Sequence, residues 1–211
     1  MTYDQSILLT GDQWASLSDG QKVQVLQAIE NHSAYEAGRI TCSVVDKFLY
    51  TGTDGVVLGT YDPQNRVIYV NSSQFDPESK YGKTSETIIT TCLHEGRHAY
   101  QHQVADGIVE HDDPTEAAIW KENLAEGNYI SFRENPKAYY NQPVEVDARA
   151  FAAEKYAELV ASREQLSYSD TYHNNPLEVF ERQLSSEATG VVQKEEPFSE
   201  TESESAGLSI H

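Results

Sequence analysis

The sequence predicts an α+β protein in which a small, mostly antiparallel sheet packs on a long helix. Three observations support this class. Apolar residues recur every three or four positions in several segments, as they do in amphipathic helices. Residues 40–71 instead contain runs of β-branched and aromatic residues, which favour strands. Two of these runs flank a turn-rich tetrad, which indicates a hairpin.

The N-terminal part of the chain predicts a helix over residues 19–37. Ser18 and Gln21 have the spacing of a capping box, in which each side chain binds the backbone N–H of the other residue. Apolar residues then continue at mostly helical spacing as far as Ala37. Gly38 should end this helix, which we expect to back the sheet that follows.

The predicted sheet comes next along the chain. Residues 40–50 predict a first strand, and residues 56–61 and 66–71 predict the two strands of a hairpin. The tetrad Asp62-Pro63-Gln64-Asn65 forms the turn between them. If the sheet packs on the following helix, one of its strands is an edge that could hold an extended peptide by main-chain hydrogen bonds.

A helix over residues 85–105, termed the motif helix, is the centre of the predicted fold. Thr84 or Ser85 can cap its start, and Gly107 can end it in the left-handed conformation. Gly96 costs about 1 kcal/mol relative to alanine inside a helix, so we expect a neighbouring element to approach closely there. The stripe of this helix that we expect to be buried consists of Ile88, Ile89, Cys92 and Leu93.

The motif helix carries the pattern His94-Glu95-x-x-His98. Residues four apart lie on one face of a helix, so both imidazoles can point at one metal ion. The carboxylate of Glu95 can then reach a metal-bound water rather than the metal, which is where hydrolysis needs a general base. A catalytic zinc ion usually takes three protein ligands, so one further ligand must come from elsewhere.

The motif helix itself does not supply this third ligand. His102 lies about 12 Å along the helix axis from His94, whereas metal–nitrogen bonds are only about 2 Å long. The metzincin pattern is excluded because Val104 stands in place of its third histidine and Gln101 in place of its glycine. His111 lies in a predicted loop and could fold back, although its acidic neighbours indicate an exposed position.

The remaining candidates lie on a second helix, which Pro143 opens and which we expect to continue to about Val160. Its carboxylates are those of Glu145, Asp147 and Glu154. Glu145 is near the positive end of the helix dipole, where a carboxylate is favoured before any metal binds. Asp147 points about 200° away from Glu145, so only one of the two can be the ligand. Helical periodicity does not choose between them.

Other segments complete the predicted organisation. Asp113-Pro114 predicts the start of a helix over residues 115–126, whereas residues 129–140 look irregular. A last short helix is expected over residues 176–184. We assign residues 1–184 to a single domain.

Residues 185–211 are predicted to be a disordered acidic tail, because serine, threonine and glutamate dominate there. The chain has a formal net charge of −19, and most of this charge lies outside the tail. Such an acidic surface argues against nucleic acid as a partner.

We expect a cytoplasmic protein. The chain opens without a basic segment or an apolar run of signal-peptide length, so neither Sec export nor a membrane span is predicted, and only non-Sec secretion stays open. Cys42 and Cys92 do not make a disulfide framework, which agrees with a reducing compartment.

The two ligand-bearing helices resemble those of a known peptidase family. Their patterns are His94-Glu95-x-x-His98 and Glu145-x-Asp147-Ala148-x-x-Phe151-Ala152. They are similar to the minimal gluzincins of the ImmA/IrrE type, in which the second helix opens with Glu-x-Glu-Ala-Asn-x-Phe-Ala. Bacterial metallopeptidase-like toxin and effector domains share this two-helix signature. The chain differs by Asp147 and Arg149 in the second motif, by a longer gap between the motifs and by the absence of the family's Leu-Leu-Met-Pro ending.

This resemblance, which covers residues 85–159, implies a zincin-like fold and a zinc-dependent endopeptidase that acts on a protein or peptide substrate. The first glutamate of the second family motif aligns with Glu145, which would complete a zinc site with His94 and His98. Glu95 would be the general base that takes a proton from the zinc-bound water.

Supporting roles can also be assigned to residues near the two motifs. Asp147 could orient a ligand histidine, a role that a carboxylate often fills. Candidate donors to the oxyanion are Tyr139, Tyr140 and Arg149. Three residues of the motif helix are expected to pack or face water: Arg97, Tyr100 and Gln101.

Two other functions are open on the same residues. The first is a non-catalytic zinc-binding module for protein–protein interaction that keeps a zincin scaffold. The presence of Glu95 argues against it, because a metal scaffold alone does not need that carboxylate. The second is a translocated protease toxin or effector, which would use the same chemistry in another cell.

Overall fold

The computed structural model describes residues 11–49 and 57–165, and this part of the chain is an α+β structure. In chain order its elements are α1 (Gly11–Ser16), α2 (Asp19–Glu36), β1 (Ser43–Lys47), β2 (Gly59–Asp62), β3 (Val67–Asn71), a 3₁₀ turn (Ser72–Gln74), α3 (Ser85–Ala105), α4 (Pro114–Leu124), α5 (Pro136–Asn141) and α6 (Pro143–Gln165). The motif helix is α3, and it contacts α2, β2, β3, α4 and α6. It therefore occupies the central position that the sequence predicts.

The sheet formed by the described strands has the order β1-β3-β2. Strand β3 pairs antiparallel with β2, which confirms the hairpin, but it pairs in parallel with β1. The prediction of a mostly antiparallel sheet was therefore wrong, because the sheet is mixed. Residue patterns indicate which segments are strands, whereas the direction of pairing depends on which strand the folded chain brings alongside.

Local signals set the first and last residues of the helices where the sequence predicts. Ser18 accepts a hydrogen bond from the backbone N–H of Gln21, and the Gln21 side chain accepts one from the backbone N–H of Ser18. The cap of the motif helix is Thr84, whose hydroxyl accepts from a backbone N–H of the first turn. Gly38 and Gly107 follow the ends of α2 and α3 with φ angles of +61° and +73°.

Some elements differ from the prediction. Helix α1 was not predicted, and α5 lies in a segment that was expected to be irregular. For α5 a signal was available, because Asn135 caps the helix and Pro136 stands in its first turn. Among the described helices, none is both long enough and apolar enough to cross a bilayer. The helix predicted over residues 176–184 and the acidic tail lie outside the described residues.

Gly96 allows a buried ion pair to lie against the motif helix. The guanidinium of Arg39 donates two hydrogen bonds of 2.6 and 2.5 Å to the carboxylate of Glu30. A Cβ atom added at Gly96 would lie 2.9 Å from Glu30 Oε2 and 3.0 Å from Arg39 Nη2. The close approach expected at this glycine is therefore made by two charged side chains.

We predict that Gly96→Ala destabilises the protein, even though alanine is the better helix former. The added methyl group must displace the buried ion pair, and overpacking of this kind costs about 1–3 kcal/mol, compared with about 1 kcal/mol gained in helix propensity. Urea unfolding followed by circular dichroism measures the difference in the free energy of unfolding.

The matched control is Gly20→Ala in α2, because a Cβ atom at Gly20 meets no other atom within 4 Å. This variant should be at least as stable as the wild type. If Gly96→Ala proved as stable as Gly20→Ala, the methyl group added at position 96 would not disturb the ion pair of Glu30 and Arg39.

Candidate metal centre

The two motif histidines and Glu145 meet where the motif helix contacts the first turn of α6. The Nε2 atoms of His94 and His98 are 3.1 Å apart. Oε2 of Glu145 lies 3.3 Å from Nε2 of His94, and Oε1 lies 3.4 Å from Nε2 of His98. These three residues could therefore hold a metal ion between them.

The spacing of these atoms suits a tetrahedral metal ion. Zinc bonds of about 2.0–2.2 Å to nitrogen and oxygen place tetrahedral ligand atoms roughly 3.3–3.6 Å apart. The observed separations, two of which run to different oxygens of Glu145, range from 3.1 to 3.4 Å. In addition, Oε2 of Glu145 is buried without a hydrogen-bond partner. A cation bound by the three residues would satisfy this oxygen.

The charge balance of the site also favours a cation. Burial opposes ionisation of Glu145, but its contacts with the two imidazoles and with Tyr129 outweigh burial and hold the pKa of its carboxyl well below the usual value. Burial lowers the pKa of His98, whereas Glu145 and Glu95 raise it, and the net shift is upward. The carboxylates therefore stabilise positive charge at the position of the imidazoles.

The orientation of His98 is set by Gln101. Nδ1 of His98 lies 2.8 Å from Oε1 of Gln101. The amide nitrogen of Gln101 donates to the carbonyl oxygen of Val144 at 2.9 Å and to Oδ2 of Asp147 at 2.6 Å. These two acceptors place the amide oxygen against His98, so Nδ1 carries the proton and Nε2 keeps its lone pair for a metal ion.

Asp147 supports this arrangement but does not belong to the metal group, which consists of His94, His98 and Glu145. Nε and Nη2 of Arg97 donate to its two carboxylate oxygens at 2.8 and 3.0 Å. The guanidinium carbon of Arg97 lies 4.6–5.0 Å from the ring centroids of Tyr100, Trp120 and Phe151. Asp147 thus acts on His98 through Gln101, which agrees with the orienting role considered for it. Gln101 is buried, as packing requires, and its amide also contacts His98.

Tyr129 is a second support of the site, and the sequence did not indicate it. Its hydroxyl donates to Oε1 of Glu145 at 2.7 Å. Burial and the adjacent carboxylate raise the pKa of Tyr129, so its hydroxyl stays protonated and continues to donate. The side chain of Gln142 binds both the N–H and the carbonyl oxygen of Ile130, and so holds this loop near α6.

Glu95 lies beside the metal group in a buried position. It is 8% exposed. Burial raises the pKa of its carboxyl, the two motif imidazoles lower it and Glu145 raises it, with a net upward shift. The backbone N–H of Tyr61 in β2 donates a hydrogen bond to it. A carboxylate with a raised pKa is suited to accept a proton and then return it.

The edge strand β2 passes close to Glu95. A Cβ atom at Gly59 would lie 3.2 Å from Cγ of Glu95 and 2.7 Å from Cγ2 of Thr91. The carbonyl oxygen of Leu58 accepts from Asn71 in β3, so Gly59 and the alternate residues of β2 turn their main-chain groups away from β3. Glycine at position 59 therefore lets this strand edge approach the motif helix.

The other candidate ligands lie elsewhere. Nδ1 of His111 is 2.9 Å from the hydroxyl of Tyr100, and its Nε2 is 2.9 Å from Oε2 of Glu116. The ring of His102 lies 5.6 Å from the ring of Tyr61. Glu154 is exposed on α6. Because none of these groups reaches the motif histidines, Glu145 is the candidate that the fold brings to them.

Comparison with known proteins adds no relative to this chain. No protein-family model, no curated protein and no solved structure matches it. The similarity of its two helix motifs to the ImmA/IrrE type therefore stays a prediction.

We predict that Gln101→Leu weakens zinc binding about 10- to 100-fold, because His98 loses the partner that fixes its ring and its proton. Competition with a chromophoric chelator measures the zinc affinity. Gln103→Leu is the matched control on the same helix. The amide of Gln103 is also buried, but it binds the backbone of Ile40.

Gln103→Leu should lower the free energy of unfolding and leave the zinc affinity unchanged. Equal zinc affinity in the two variants would show that Gln101 has no role in orienting a ligand.

Proposed function

We propose that this chain is a zinc-dependent endopeptidase. The observation that carries the proposal is the convergence of two imidazole nitrogens and one buried carboxylate within 3.1–3.4 Å of one another. Glu95 lies next to them on the motif helix. A zincin-like fold is part of the proposal, because the metal group, the edge strand and the second helix surround one helix that carries the first two ligands.

In this proposal His94, His98 and Glu145 hold the zinc ion. Two imidazoles and one carboxylate form a donor set found in catalytic zinc sites, which keep a fourth position for water or substrate. Bound zinc would polarise the peptide carbonyl and make water a nucleophile at neutral pH. Gln101 and Tyr129 would keep two of the ligands in position.

Glu95 would move the proton. Its carboxylate accepts a proton from the water that attacks the peptide carbonyl, and then passes this proton to the nitrogen of the leaving amine. Because burial and Glu145 raise the pKa of Glu95, the protonated form is reached more readily than in an exposed glutamate. The backbone N–H of Tyr61 holds the carboxylate in place.

The outer edge of β2, which pairs with no other described strand, would hold the substrate. An extended peptide can add to a sheet edge through main-chain hydrogen bonds, which recognise the backbone rather than particular side chains. Gly59 brings this edge close to Glu95, so a peptide bound there would pass the metal group. An endopeptidase needs such a groove, because the chain it cleaves continues on both sides of the scissile bond.

We predict that Glu95→Gln keeps zinc but loses peptide hydrolysis, because an amide cannot accept the proton. Glu145→Ala should lose zinc affinity, because it removes one of three ligands. Metal analysis gives the zinc content, and mass spectrometry follows cleavage of a mixture of unstructured peptides. Glu154→Ala, an exposed carboxylate on the same helix, is the control and should retain both zinc and hydrolysis.

Equal zinc content in wild type and Glu145→Ala would remove Glu145 from the ligand set. Zinc binding by the wild type without cleavage of any peptide in the mixture would favour the non-catalytic binding module over the peptidase.

A further inference from the structure

Arg149 places an unpartnered donor beside the metal group. Its Nη1 atom is buried and has no hydrogen-bond partner. This atom lies 3.8 Å from Oε2 of Glu145, which also has no hydrogen-bond partner but lies 3.3 Å from Nε2 of His94. A metal ion would bind the carboxylate oxygen, but it cannot accept a hydrogen bond from a cationic N–H group. That group requires an acceptor oxygen.

The guanidinium is held in this position by its surroundings. Arg149 follows Glu145 by four residues on α6, so both side chains lie on one face of the helix. Nη2 donates to the backbone carbonyl oxygen of Tyr140 at the end of α5. The guanidinium carbon lies 5.3 Å from the centroid of the Tyr140 ring. One nitrogen is thus held by the protein, while the other stays available beside the metal group.

Ligands can reach this side chain. The Arg149 side chain is 39% exposed, whereas that of Glu145 is 1% exposed. The Nη1 atom itself is buried beside Glu145, so a group bound at the metal centre would meet this atom inside the site rather than at the exposed part of the side chain. The arrangement is typical of a binding residue rather than of a side chain sealed in the core.

The tyrosines near the site lie close to Glu145 or to Arg149. The hydroxyl of Tyr129 donates to Glu145, and burial together with the nearby carboxylate of Glu145 raises the pKa of the Tyr139 hydroxyl. The ring and the carbonyl oxygen of Tyr140 contact Arg149. Of the three donors suggested by the sequence, Arg149 is the one with a buried side-chain N–H group that has no hydrogen-bond partner.

We infer that Nη1 of Arg149 donates a hydrogen bond to the carbonyl oxygen of the scissile peptide bond, which makes it a catalytic residue. This inference rests on the proposed peptidase function. As water adds to the carbonyl carbon, the C=O π electrons move to the oxygen, and a fixed cationic donor stabilises the charge that develops there.

Arginine suits this role better than lysine. Its planar guanidinium can bind the carbonyl of Tyr140 with one nitrogen and donate to the substrate with another. The position of the donor is then set before the substrate arrives, so little reorganisation is needed during the reaction. The ammonium group of lysine has a single nitrogen, so it cannot be held by one nitrogen and donate to the substrate with another.

A simpler role for Arg149 would be to neutralise Glu145. In that case removal of the guanidinium would change the zinc affinity and leave the affinity for an added oxygen ligand unaffected. The two roles therefore differ in a binding measurement that needs no known peptide substrate.

The test uses acetohydroxamate, a small zinc-binding anion whose oxygens imitate the one on which charge develops. Isothermal titration compares the zinc-loaded full chain of wild type, Arg149→Met and Arg149→Lys. We expect Arg149→Met to bind one zinc ion as the wild type does, but to bind acetohydroxamate about 10- to 100-fold more weakly. Arg149→Lys should lose less. Arg133→Met, which alters an exposed arginine, is the control and should match the wild type.

A second arm uses chemical rescue. Guanidinium added at millimolar concentration can occupy the space vacated in Arg149→Ala, so it should restore part of the acetohydroxamate affinity of that variant. It should have no such effect on Arg133→Ala. With any peptide that the wild type cleaves, kcat of Arg149→Met should fall about 100- to 1,000-fold, with a smaller change in KM.

The outcomes separate this inference from the proposed function. Equal acetohydroxamate affinity in wild type and Arg149→Met at full zinc occupancy would overturn the role of Arg149 and leave the zinc site intact. Failure of the zinc-loaded wild type to bind acetohydroxamate would also overturn the role of Arg149, without affecting the zinc site. Failure of the wild type to bind zinc would overturn both. If circular dichroism shows that Arg149→Met is unfolded, Arg149→Lys is used in its place. An acetohydroxamate affinity of Arg149→Lys equal to that of the wild type would then overturn the inference.

Discussion

The arrangement of the site depends on one buried carboxylate, that of Glu145. A buried carboxylate is costly unless it is paired, and the side chain of Glu145 is only 1% exposed. Its compensation comes from the two motif imidazoles and from the hydroxyl of Tyr129. Helix α6 must therefore pack against the motif helix in a register that brings these groups to the carboxylate. The same register forms a group of ligand atoms that suits a cation.

Charged side chains hold the motif helix at more than one point. The carboxylate of Asp147 joins Arg97 to Gln101, which orients His98. Elsewhere along the helix, Gly96 leaves room for the buried pair of Glu30 and Arg39. Such pairs are directional and respond strongly to the loss of one partner, unlike apolar packing alone. They provide a physical reason for the two histidines to keep a fixed position relative to α6.

Much of the local structure could be predicted because it depends on neighbours in the sequence. The capping box at Ser18, the cap at Thr84 and the left-handed glycine at position 107 all act within a few residues. Helix α5 shows the limit of this approach, because its cap signal at Asn135 was present but its segment lacks apolar periodicity. The parallel pairing of β1 with β3 depends on contacts between distant segments, and no local pattern contains it.

For the site, the sequence by itself determined that His94 and His98 lie on one face of a helix, because they are four residues apart. It also placed the carboxylate of Glu95 next to the first of these histidines. It also limited the third ligand to a few carboxylates and one histidine. Only the tertiary structure decided that Glu145 faces the histidines while Asp147 binds Gln101, and that Tyr129, Gln101 and Arg149 surround the site. The reason is that these contacts join residues from separate elements, and their distances depend on how the helices pack rather than on the order of residues.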